Sequence, residues 1–378
     1  MNVFIEAAAT TKFGELWGIS PRDLVREVVG EVFKQSGTDK KSIDAIIIGN
    51  MLSGALAGQQ HLGSFFAAQI NLSCAAIRVE GACASGGLAI HTAVAAIKSG
   101  MYEKVLVIGI EKMSDYKPEE VALALMAAGA DSERIAGATF PGLYAMIARS
   151  HMNEFGTKEE DLALVAVKNH FHASLNSHAH FTAPVTVEKV LKSPVVASPL
   201  KLLDCSPISD GAAAVLLTKN KKSVRIVASE VATDTLGLSD RESLSTLKST
   251  VQASQNAYKK AGLGPQNIDV AEVHDCFTIA EILAMEDLGF WKKGEAVYAL
   301  RKEQTTIGKG KPVINTSGGL KASGHPVGAT GVKQIVEIYQ QLTGTAGKKQ
   351  VKGAKIGLTH NVGGSGGTAV IHILKSLK

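Results

Sequence analysis

The two halves of this chain carry the same order of short apolar segments and helical segments, and this repeat constrains the fold more than any other feature. In the first half a continuous apolar run, 45–49, follows the pair Ile43-Asp44, and in the second half the run 270–273 follows Ile268-Asp269. Continuous apolar runs of this length are typical of strands buried on both faces of a parallel sheet. The repeat predicts an α/β fold of two duplicated βαβαβαββ halves, each a mixed sheet covered by helices, packed about a pseudo-twofold axis.

The alternation of strands and helices is interrupted once, by a segment at about 113–203 that we interpret as an inserted loop domain. We therefore predict a first half at 1–221, which contains the insertion, and a second half at 222–378. Such an excursion from a regular scaffold commonly holds substrate specificity. The predicted strands are 3–8, 45–49, 104–109, 211–218, 224–229, 270–273, 312–315, 355–359 and 368–374, and the predicted helices are 21–34, 59–69, 88–100, 144–155, 159–175, 250–261, 278–288 and 330–342.

Composition excludes several classes of protein. Hydrophobic residues make up 45% of the chain and charged residues 20%, which is typical of a globular protein and not of a disordered one. The net charge is only +5 and there is no dense stripe of Lys and Arg, so we do not expect nucleic-acid binding. The four cysteines contain no CxxC pair, and neither a secretory signal nor a membrane-spanning run is visible. We expect a cytoplasmic protein without membrane contact.

The segment 78–87 places a single cysteine, Cys83, between a short extended stretch and an almost wholly apolar helical run, 88–100. Backbone N–H groups at a helix N-terminus have no intrahelical partner, and the helix dipole favours negative charge there. We therefore expect an acidified thiol at Cys83 and interpret it as a nucleophile. The alternative is a small core residue, which is the commoner role of an isolated cysteine in apolar surroundings.

Three further polar or glycine-rich stretches follow predicted strands, at 274–278, 315–331 and 360–367. In open α/β sheets, ligands collect outside the carboxyl ends of the strands. We expect a thiol, imidazole groups, a second thiol and glycine-rich backbone donors to meet there.

Taken together, these stretches resemble the thiolase family over essentially the whole chain and in the family's order. The segment 274–277 resembles the sterol-carrier-protein-type and archaeal-type branch, because many thiolases carry Asn-Glu-Ala-Phe there. The resemblance rests on Glu80-Gly81-Ala82-Cys83-Ala84-Ser85-Gly86, Cys205-Ser206-Pro207-Ile208-Ser209-Asp210-Gly211, His274-Asp275-Cys276-Phe277, Ser317-Gly318-Gly319 and Gly324-His325-Pro326-Val327-Gly328.

The resemblance implies a role for each polar residue. Cys83 would attack an acyl-CoA and carry the acyl group as a thioester, and His325 would activate Cys83 and contribute to an oxyanion hole for the enolate. His274 would occupy the position where other thiolases use Asn to hold a water in that hole. For both histidines the alternative is a structural role.

Most thiolases take the α-proton with a second cysteine in a Cys-x-Gly motif near the C-terminus, and the matching position here is interpreted as His360. The resemblance implies that Cys276, as a thiol of moderately lowered pKa, is the substitute acid and base, with His360 able to share the work. The alternative for Cys276 is a core thiol. A second oxyanion hole is expected from the N–H of Cys83 and one N–H of the turn Val362-Gly363-Gly364.

For coenzyme A, the resemblance implies that Ser206 contacts the pantetheine arm and that Tyr144 and Met146 line its tunnel. Arg134 and Arg149 could meet the phosphates, although a solvated face is the more common role of such residues. Cys74 and Cys205 are interpreted as packing residues.

Neither a metal nor a prosthetic group is expected. The residues His170, His172, His178 and His180 form two His-x-His pairs, but no carboxylate or cysteine accompanies them at ligand spacing.

The function implied is that of an acetyl-CoA C-acetyltransferase, which forms or cleaves acetoacetyl-CoA or another 3-ketoacyl-CoA through an acyl-cysteine. The resemblance further implies a homodimer or homotetramer and a complex with a hydroxymethylglutaryl-CoA synthase and a small OB-fold/zinc-ribbon protein. Two alternatives stay open: a condensing enzyme of the ketoacyl-synthase kind, which shares the fold, and a non-catalytic acyl-CoA-binding scaffold.

Overall fold

A computed structural model of the chain describes residues 1–377 and shows an α/β architecture built on one large sheet. The strands are β1 (Val3–Thr10), β2 (Ala45–Gly49), β3 (Ala75–Val79), β4 (Lys104–Glu111), β5 (Val195–Ala197), β6 (Leu200–Lys201), β7 (Gly211–Thr218), β8 (Val224–Thr233), β9 (Val270–Glu272), β10 (Val313–Ile314), β11 (Ile356–Gly363) and β12 (Thr368–Ser376).

The helices are α1 (Pro21–Ser36), α2 (Ser53–Ala57), α3 (Leu62–Gln69), α4 (Ser85–Lys98), α5 (Pro118–Met126), α6 (Asp131–Ile135), α7 (Phe140–Phe155), α8 (Glu159–Ala173), α9 (Val187–Leu191), α10 (Lys248–Ala261), α11 (Thr278–Asp287), α12 (Ala296–Arg301), α13 (Gly319–Ser323) and α14 (Val327–Thr343). The single helix predicted at 59–69 is two short helices, α2 and α3. Gly58 ends α2 in the left-handed conformation, with φ of 67°, and so separates them.

The sheet has ten strands in the order β10-β9-β11-β12-β8-β1-β7-β4-β2-β3. Outward from the centre, the first half reads β1-β7-β4-β2-β3 and the second half reads β8-β12-β11-β9-β10, which is the same order of equivalent strands. The predicted duplication is therefore present. The two half-sheets are nevertheless continuous, because β1 and β8 pair antiparallel along the edge that each half would otherwise leave unpaired.

The repeated Ile-Asp pair has the same structural role in both halves. The Asp44 carboxylate accepts from the N–H groups of Glu103 and Lys104, at 2.7 and 2.9 Å, at the start of β4. The Asp269 carboxylate accepts from the N–H groups of Lys355 and Ile356, both at 2.8 Å, at the start of β11. Each aspartate thus fixes where the third strand of its half, counted outward from the centre of the sheet, begins.

Helices α4 and α14 occupy equivalent places in the two halves and pack against one another between the half-sheets. Their contact is close enough to require glycine. A Cβ on Gly86 would lie 2.8 Å from the carbonyl oxygen of Gly328 and 2.9 Å from the nitrogen of Gly331. This central layer explains why the 88–100 run is apolar on nearly all sides, and it brings the N-termini of both helices to one place.

The insertion belongs to the first half in sequence, but it packs over the second half. Buried residues of α7, including Leu143 and Ile147, share a core with Ile279 and Ile282 of α11. The short strands β5 and β6 form a separate antiparallel pair within the insertion. The insertion therefore forms a wall over the ends of the second-half strands. No helix within residues 1–377 is both long enough and apolar enough to cross a membrane.

Candidate active site

The carboxyl ends of strands from both halves meet at a cavity of about 210 Å³. Cys83 arrives from the first half, after β3, whereas Cys276 follows β9 and His325 lies between α13 and α14. Ser206 and Tyr144, which both carry hydroxyl groups, also line this cavity. The structure thus brings both predicted catalytic thiols, Cys83 and Cys276, and the predicted base, His325, to one cavity.

Cys83 lies just before helix α4, at a bend in which Ala82 adopts a left-handed backbone with φ of 53°. A non-glycine residue in this conformation is strained, and such strain is common at functional sites. The N–H of Gly364 donates a hydrogen bond to the thiol and lowers its pKa, but burial outweighs this and raises the pKa to about 12. The expected acidification is therefore wrong: desolvation dominates the helix N-terminus, and the resting nucleophile is a neutral thiol.

His325 is oriented by Thr330, one turn into α14. The Thr330 hydroxyl donates to the carbonyl oxygen of Pro326 at 3.0 Å, so its oxygen accepts from Nδ1 of His325 at 2.7 Å. This places the ring proton on Nδ1 and leaves a lone pair on Nε2. That nitrogen is buried and has no hydrogen-bond partner within residues 1–377, while burial lowers the imidazole pKa to about 3. The ring is therefore a neutral proton acceptor.

His274 is held in the opposite tautomer by Asn361 of β11. The Asn361 carbonyl oxygen accepts from the N–H of Gly87 at 3.0 Å, which orients the amide. Its Nδ2 then donates to the carbonyl oxygen of Cys83 at 2.9 Å and to Nδ1 of His274 at 3.3 Å. The ring proton of His274 is thus on Nε2, which is buried and lacks a partner in the part of the chain that the structure describes. Burial holds the pKa of His274 well below its usual range, so this group is a neutral hydrogen-bond donor.

These groups are close enough to act together. The Cys83 sulfur and one ring nitrogen of each of His274 and His325 lie within 4.8 Å of one another. The two imidazole rings meet edge to face, with their centroids 5.1 Å apart. One imidazole can accept the proton of the thiol while the other donates to a developing oxyanion, which is the division of labour that acyl transfer requires.

Cys276 lies at the same cavity, in the turn before α11, and its carbonyl oxygen accepts from the N–H of Ser206 at 2.9 Å. Burial raises the pKa of its thiol well above the usual value, whereas we expected a moderately lowered one. The Tyr144 hydroxyl and the N–H of Phe277 act in the other direction by hydrogen bonding. This correction has the same cause as that for Cys83: both thiols are more deeply desolvated than their place at a helix N-terminus suggests.

The comparisons with known proteins agree with this geometry. The family model "Thiolase, N-terminal domain" matches residues 3–221, and "Thiolase C-terminal domain-like" matches residues 231–376. The chain belongs to the thiolase family.

Several curated relatives match this thiolase over its full length. An acetyl-CoA acetyltransferase of Methanothermobacter thermautotrophicus is 48% identical, with 98% of this chain and 99% of that protein covered. A second acetyl-CoA acetyltransferase, from Methanocaldococcus jannaschii, is 45% identical, with 99% and 98% covered. Human sterol carrier protein 2 is 32% identical over 99% of this chain and 72% of its own length.

Solved structures share the fold at low sequence identity. An Ltp2-ChsH2(DUF35) aldolase gives a TM-score of 0.84 at 23% identity, covering 99% of this chain and 98% of that one. Human mitochondrial 3-ketoacyl-CoA thiolase in complex with CoA gives 0.78 at 20% identity, covering 100% and 98%. The predicted thiolase fold is confirmed.

The residue that sequence reasoning missed in this thiolase is Asn361. His360, taken as the match to the family's C-terminal cysteine, faces away from the cavity: Nδ1 accepts from the N–H of His274 at 3.4 Å and Nε2 lies 2.9 Å from the hydroxyl of Thr250. It therefore supports the backbone of His274 from behind. The signal was available in the sequence, because Asn361-Val362-Gly363 has the spacing of Cys-x-Gly and His360-Asn361-Val362 does not.

The structure shows which residue of the turn Val362-Gly363-Gly364 can contribute to the predicted second oxyanion hole. Val362 and Gly363 lie within β11, and both pair with β12. Gly364, in the left-handed conformation with φ of 63°, is the residue whose N–H faces the Cys83 sulfur. The candidate donors for a thioester carbonyl are thus the N–H groups of Cys83 and Gly364.

Two of the three residues predicted to contact the pantetheine arm of coenzyme A lie at the cavity, and the third does not. Ser206 and Tyr144 line the cavity, but Met146 does not. It lies on the opposite side of α7, 48% exposed, beside a separate surface groove. Two positions along an α-helix differ by about 200° in direction, so Tyr144 and Met146 cannot line one tunnel. Arg134 pairs with Asp131 at 2.8 Å and Arg149 donates to Ser198 at 2.7 Å, so both already have protein partners at the surface.

The remaining histidines and cysteines have contacts of their own. His172 lies 3.0 Å from the carbonyl oxygen of Asn315 through Nδ1 and accepts from the N–H of Ile307 through Nε2. His170 stacks on Phe181, and His180 contacts Ser209. Cys74 packs against the outer core of the first half. Cys205, expected only to pack, also forms part of the cavity wall.

Proposed function

We propose that this thiolase is an acetyl-CoA C-acetyltransferase that forms or cleaves acetoacetyl-CoA through an acetyl-Cys83 intermediate. The observation that carries the proposal is the meeting of Cys83, His325 and Cys276 at one cavity, with His274 close to Cys83 and His325 and with the two imidazoles fixed in opposite tautomers. The name shared by the archaeal relatives at 45% and 48% identity supports the choice of acetyl-CoA.

In the first step, Nε2 of His325 takes the proton of the Cys83 thiol while the sulfur attacks the thioester carbon of acetyl-CoA. The negative charge that develops on the carbonyl oxygen is stabilised by the N–H groups of Cys83 and Gly364. The tetrahedral intermediate then expels the CoA thiolate, which takes the proton from His325. Acetyl-Cys83 and CoA–SH result, and His325 is neutral again.

In the second step, Cys276 first releases its thiol proton to solvent, and its thiolate then removes a proton from the methyl carbon of a second acetyl-CoA and becomes a neutral thiol again. The enolate oxygen is stabilised by Nε2–H of His274. The enolate carbon attacks the thioester of acetyl-Cys83, and acetoacetyl-CoA leaves as the Cys83 sulfur departs as a thiolate. Cys83 then recovers a proton from Cys276, and Cys276 takes a proton back from solvent, which restores both resting thiols. Cleavage is the reverse sequence.

His325 contributes less to the enolate site than the family resemblance implies. Because Thr330 holds the ring proton on Nδ1, Nε2 of the neutral ring carries no proton to donate. In this chain we assign the enolate donor role to His274 and the thiol-deprotonating role to His325. The reaction as written needs neither a metal nor a prosthetic group.

Thiolysis of acetoacetyl-CoA by wild type, Cys83→Ala and Cys276→Ala, with intact-mass measurement of acetylated enzyme, tests the proposal. Wild type should turn over. Cys83→Ala should neither turn over nor become acetylated, whereas Cys276→Ala should acetylate from acetyl-CoA and then barely turn over. A wild-type protein that neither acetylates nor cleaves acetoacetyl-CoA would overturn the proposal and leave the acyl-CoA-binding scaffold as the better interpretation.

The ketoacyl-synthase alternative makes a different prediction. Such an enzyme generates its carbanion by decarboxylation and has no need of a second thiol at the cavity, whereas Cys276 lies there. Condensation that requires a malonyl thioester and fails with acetyl-CoA alone would favour the alternative.

We further propose that the chain forms a homodimer or a homotetramer. Support comes from β3, the outermost strand of the first half: its residues are partly exposed, and Ile77 is 46% exposed on it. An edge strand of this kind can pair with a second copy. Light scattering after size-exclusion chromatography measures the mass directly, and a monomer at micromolar concentration would contradict the proposal. A complex with a hydroxymethylglutaryl-CoA synthase and a small OB-fold/zinc-ribbon protein is proposed from the family resemblance, and copurification tests it.

A further inference from the structure

Tyr144 is a buried tyrosine whose hydroxyl contacts two parts of the proposed reaction centre. It lies in the first turns of α7, with 1% of its surface exposed, and its ring packs on Phe277 at a centroid distance of 4.7 Å. Its hydroxyl donates to the carbonyl oxygen of Gly364 at 3.2 Å. Gly364 is the residue whose N–H faces the Cys83 sulfur.

The second group within reach of the hydroxyl is Cys276, which lines the same cavity and directly precedes Phe277, on which the Tyr144 ring packs. A hydrogen bond from the Tyr144 hydroxyl lowers the pKa of that thiol. A phenol has one proton to donate, so it can serve either the Gly364 carbonyl or the Cys276 thiolate, but not both fully. In the resting enzyme the carbonyl takes it. Once Cys276 is charged, a thiolate is the stronger acceptor, because hydrogen bonds to ionised groups are stronger than those to neutral ones.

Resting on the proposed function, we propose that Tyr144 is a positioning residue for the proton transfer at the α-carbon: its hydroxyl turns from Gly364 to stabilise the Cys276 thiolate. No atom of Tyr144 enters the product. The hydroxyl lowers the free energy of the charged base and releases it when Cys276 takes the proton from the methyl carbon. This role goes beyond the lining of a pantetheine tunnel, because a wall residue needs only its ring.

Other titratable and charged groups also act on this pair. Cys83 and Asp275 face Cys276 and oppose its ionisation, and Arg241 is the cation that faces Tyr144. The resting Cys83 is a neutral thiol and its acetyl thioester is also neutral, so acetylation leaves the charge around Cys276 unchanged. Stabilisation of the Cys276 thiolate therefore depends on hydrogen bonds, from the Tyr144 hydroxyl and from the N–H of Phe277.

The test measures the ionisation of Cys276 directly, without any need for turnover. In a Cys83→Ala background, iodoacetamide labelling of Cys276 is followed by peptide mass spectrometry as a function of pH. Tyr144→Phe should move the labelling curve upward by about one pH unit, which is roughly tenfold slower labelling at a fixed pH. Tyr258→Phe is the matched control, because that buried hydroxyl donates at 2.8 Å to the carbonyl oxygen of Leu288, outside the site, and should leave the curve in place.

Turnover provides an independent measurement in the background with Cys83 intact. Tyr144→Phe should acetylate Cys83 at a rate within about threefold of wild type, while kcat for acetoacetyl-CoA cleavage falls about tenfold and KM for CoA changes little. Site-specific replacement of Tyr144 by 3-fluorotyrosine keeps the shape and strengthens the donor, so it should move the labelling curve downward. This replacement also decides the matter if Tyr144→Phe does not fold.

Two results would overturn the inference. One is a Cys276 labelling curve that stays in place in both Tyr144 variants. The other is a raised KM for CoA with kcat unchanged, which is what a simple wall residue would give. Failure of the proposed function looks different, because it would appear as an unmodified Cys83 in the wild-type protein while the Cys276 labelling curve could still be measured.

Discussion

The two halves of this thiolase have the same strand order, and an aspartate contacts the start of β4 in one half and of β11 in the other. The halves differ at the carboxyl ends of the strands, where the reacting groups lie. Five residues after Asp44 and Lys104 the first half carries Gly49 and Gly109, which pair with each other. Five residues after Asp269 and Ile356 the second half carries His274 and Asn361, which hydrogen bond to each other. Equivalent places on a duplicated scaffold thus hold two glycines in one half and a catalytic pair in the other.

The reason for the difference is space. A Cβ on Gly49 would lie 2.8 Å from the Cα of Gly86, and one on Gly109 would lie 2.7 Å from the carbonyl oxygen of Gly328. The backbones of α4 and α14 occupy that room. On the second-half side the room is open, and Asn361 fills it while it bonds to Gly87 and Cys83. The duplication therefore gives the two halves equivalent positions. The half that has room for larger side chains at these positions is the one that carries His274 and Asn361.

The largest effect expected from this comparison concerns the neutral pair of Cys83 and His325. The Cys83 thiol has a pKa of about 12, so at neutral pH it reacts only when a base removes its proton. His325 has a pKa of about 3, so at neutral pH its ring is uncharged and can accept that proton. His325→Ala should therefore slow acetylation of Cys83 about 10³-fold at neutral pH.

The same pair has a characteristic pH dependence. Iodoacetamide labelling of Cys83, resolved by peptide in a Cys276→Ala background, should be nearly flat from about pH 5 to 9, because neither partner titrates there. In His325→Ala the rate should instead rise about tenfold per pH unit, since only the free thiolate reacts. An inflection near neutral pH in the His325-containing protein would mean a thiolate–imidazolium pair and would contradict the neutral one.

A smaller effect is expected for His274, which occupies the place that Gly49 has in the first half. His274→Ala removes the donor assigned to the enolate and should lower the condensation rate about 10²-fold. Acetylation of Cys83 should persist within a few-fold, because His325 and the N–H of Gly364 remain. Measurement of the acetyl-enzyme burst beside steady-state turnover separates the two steps. An equal loss in both would show that His274 acts on acylation or on folding instead.

Thr330→Val tests the tautomer assignment at nearly constant volume. Loss of the hydroxyl removes the acceptor 2.7 Å from Nδ1 of His325, so the ring is no longer confined to the tautomer with a lone pair on Nε2. We expect acetylation to slow about tenfold. Thr330→Ser restores the hydroxyl and should restore most of the rate. If Thr330→Ser is as slow as Thr330→Val, the methyl group and not the hydroxyl is what matters.

The smallest effect on chemistry is expected in the first half, where the change should appear in stability. Gly49→Ala places a Cβ against the backbone of α4 and should lower the free energy of unfolding by about 1–3 kcal/mol. Activity per folded molecule should stay close to wild type. Gly30→Ala, in α1 with no atom within 4 Å of the added Cβ, is the matched control and should be neutral or stabilise by about 1 kcal/mol. Urea unfolding measures both.

Much of the scaffold could be predicted because it depends on local signals. The apolar runs at 45–49 and 270–273 and the repeated Ile-Asp pair correctly indicated the duplicated order of strands. The helix at Pro21–Ser36 begins and ends where its sequence signals lie, with Ser20 as a cap and Gly37 beyond the end. The motifs around Cys83, His274 and His325 identified the family and the residues that meet at the cavity.

The sequence alone therefore determined most strands of the large sheet, the duplication, the family and the identity of the reacting side chains, since each is encoded by residues adjacent along the chain. The tertiary structure decided what those side chains can do. The pKa values of Cys83 and Cys276 are raised because helices and strands from both halves remove water from them. The tautomer of His274 depends on an amide 87 positions away, and only the fold shows that Asn361, not His360, reaches the site. Desolvation and contacts across long sequence separations leave no local pattern, so they become visible only once the chain is folded.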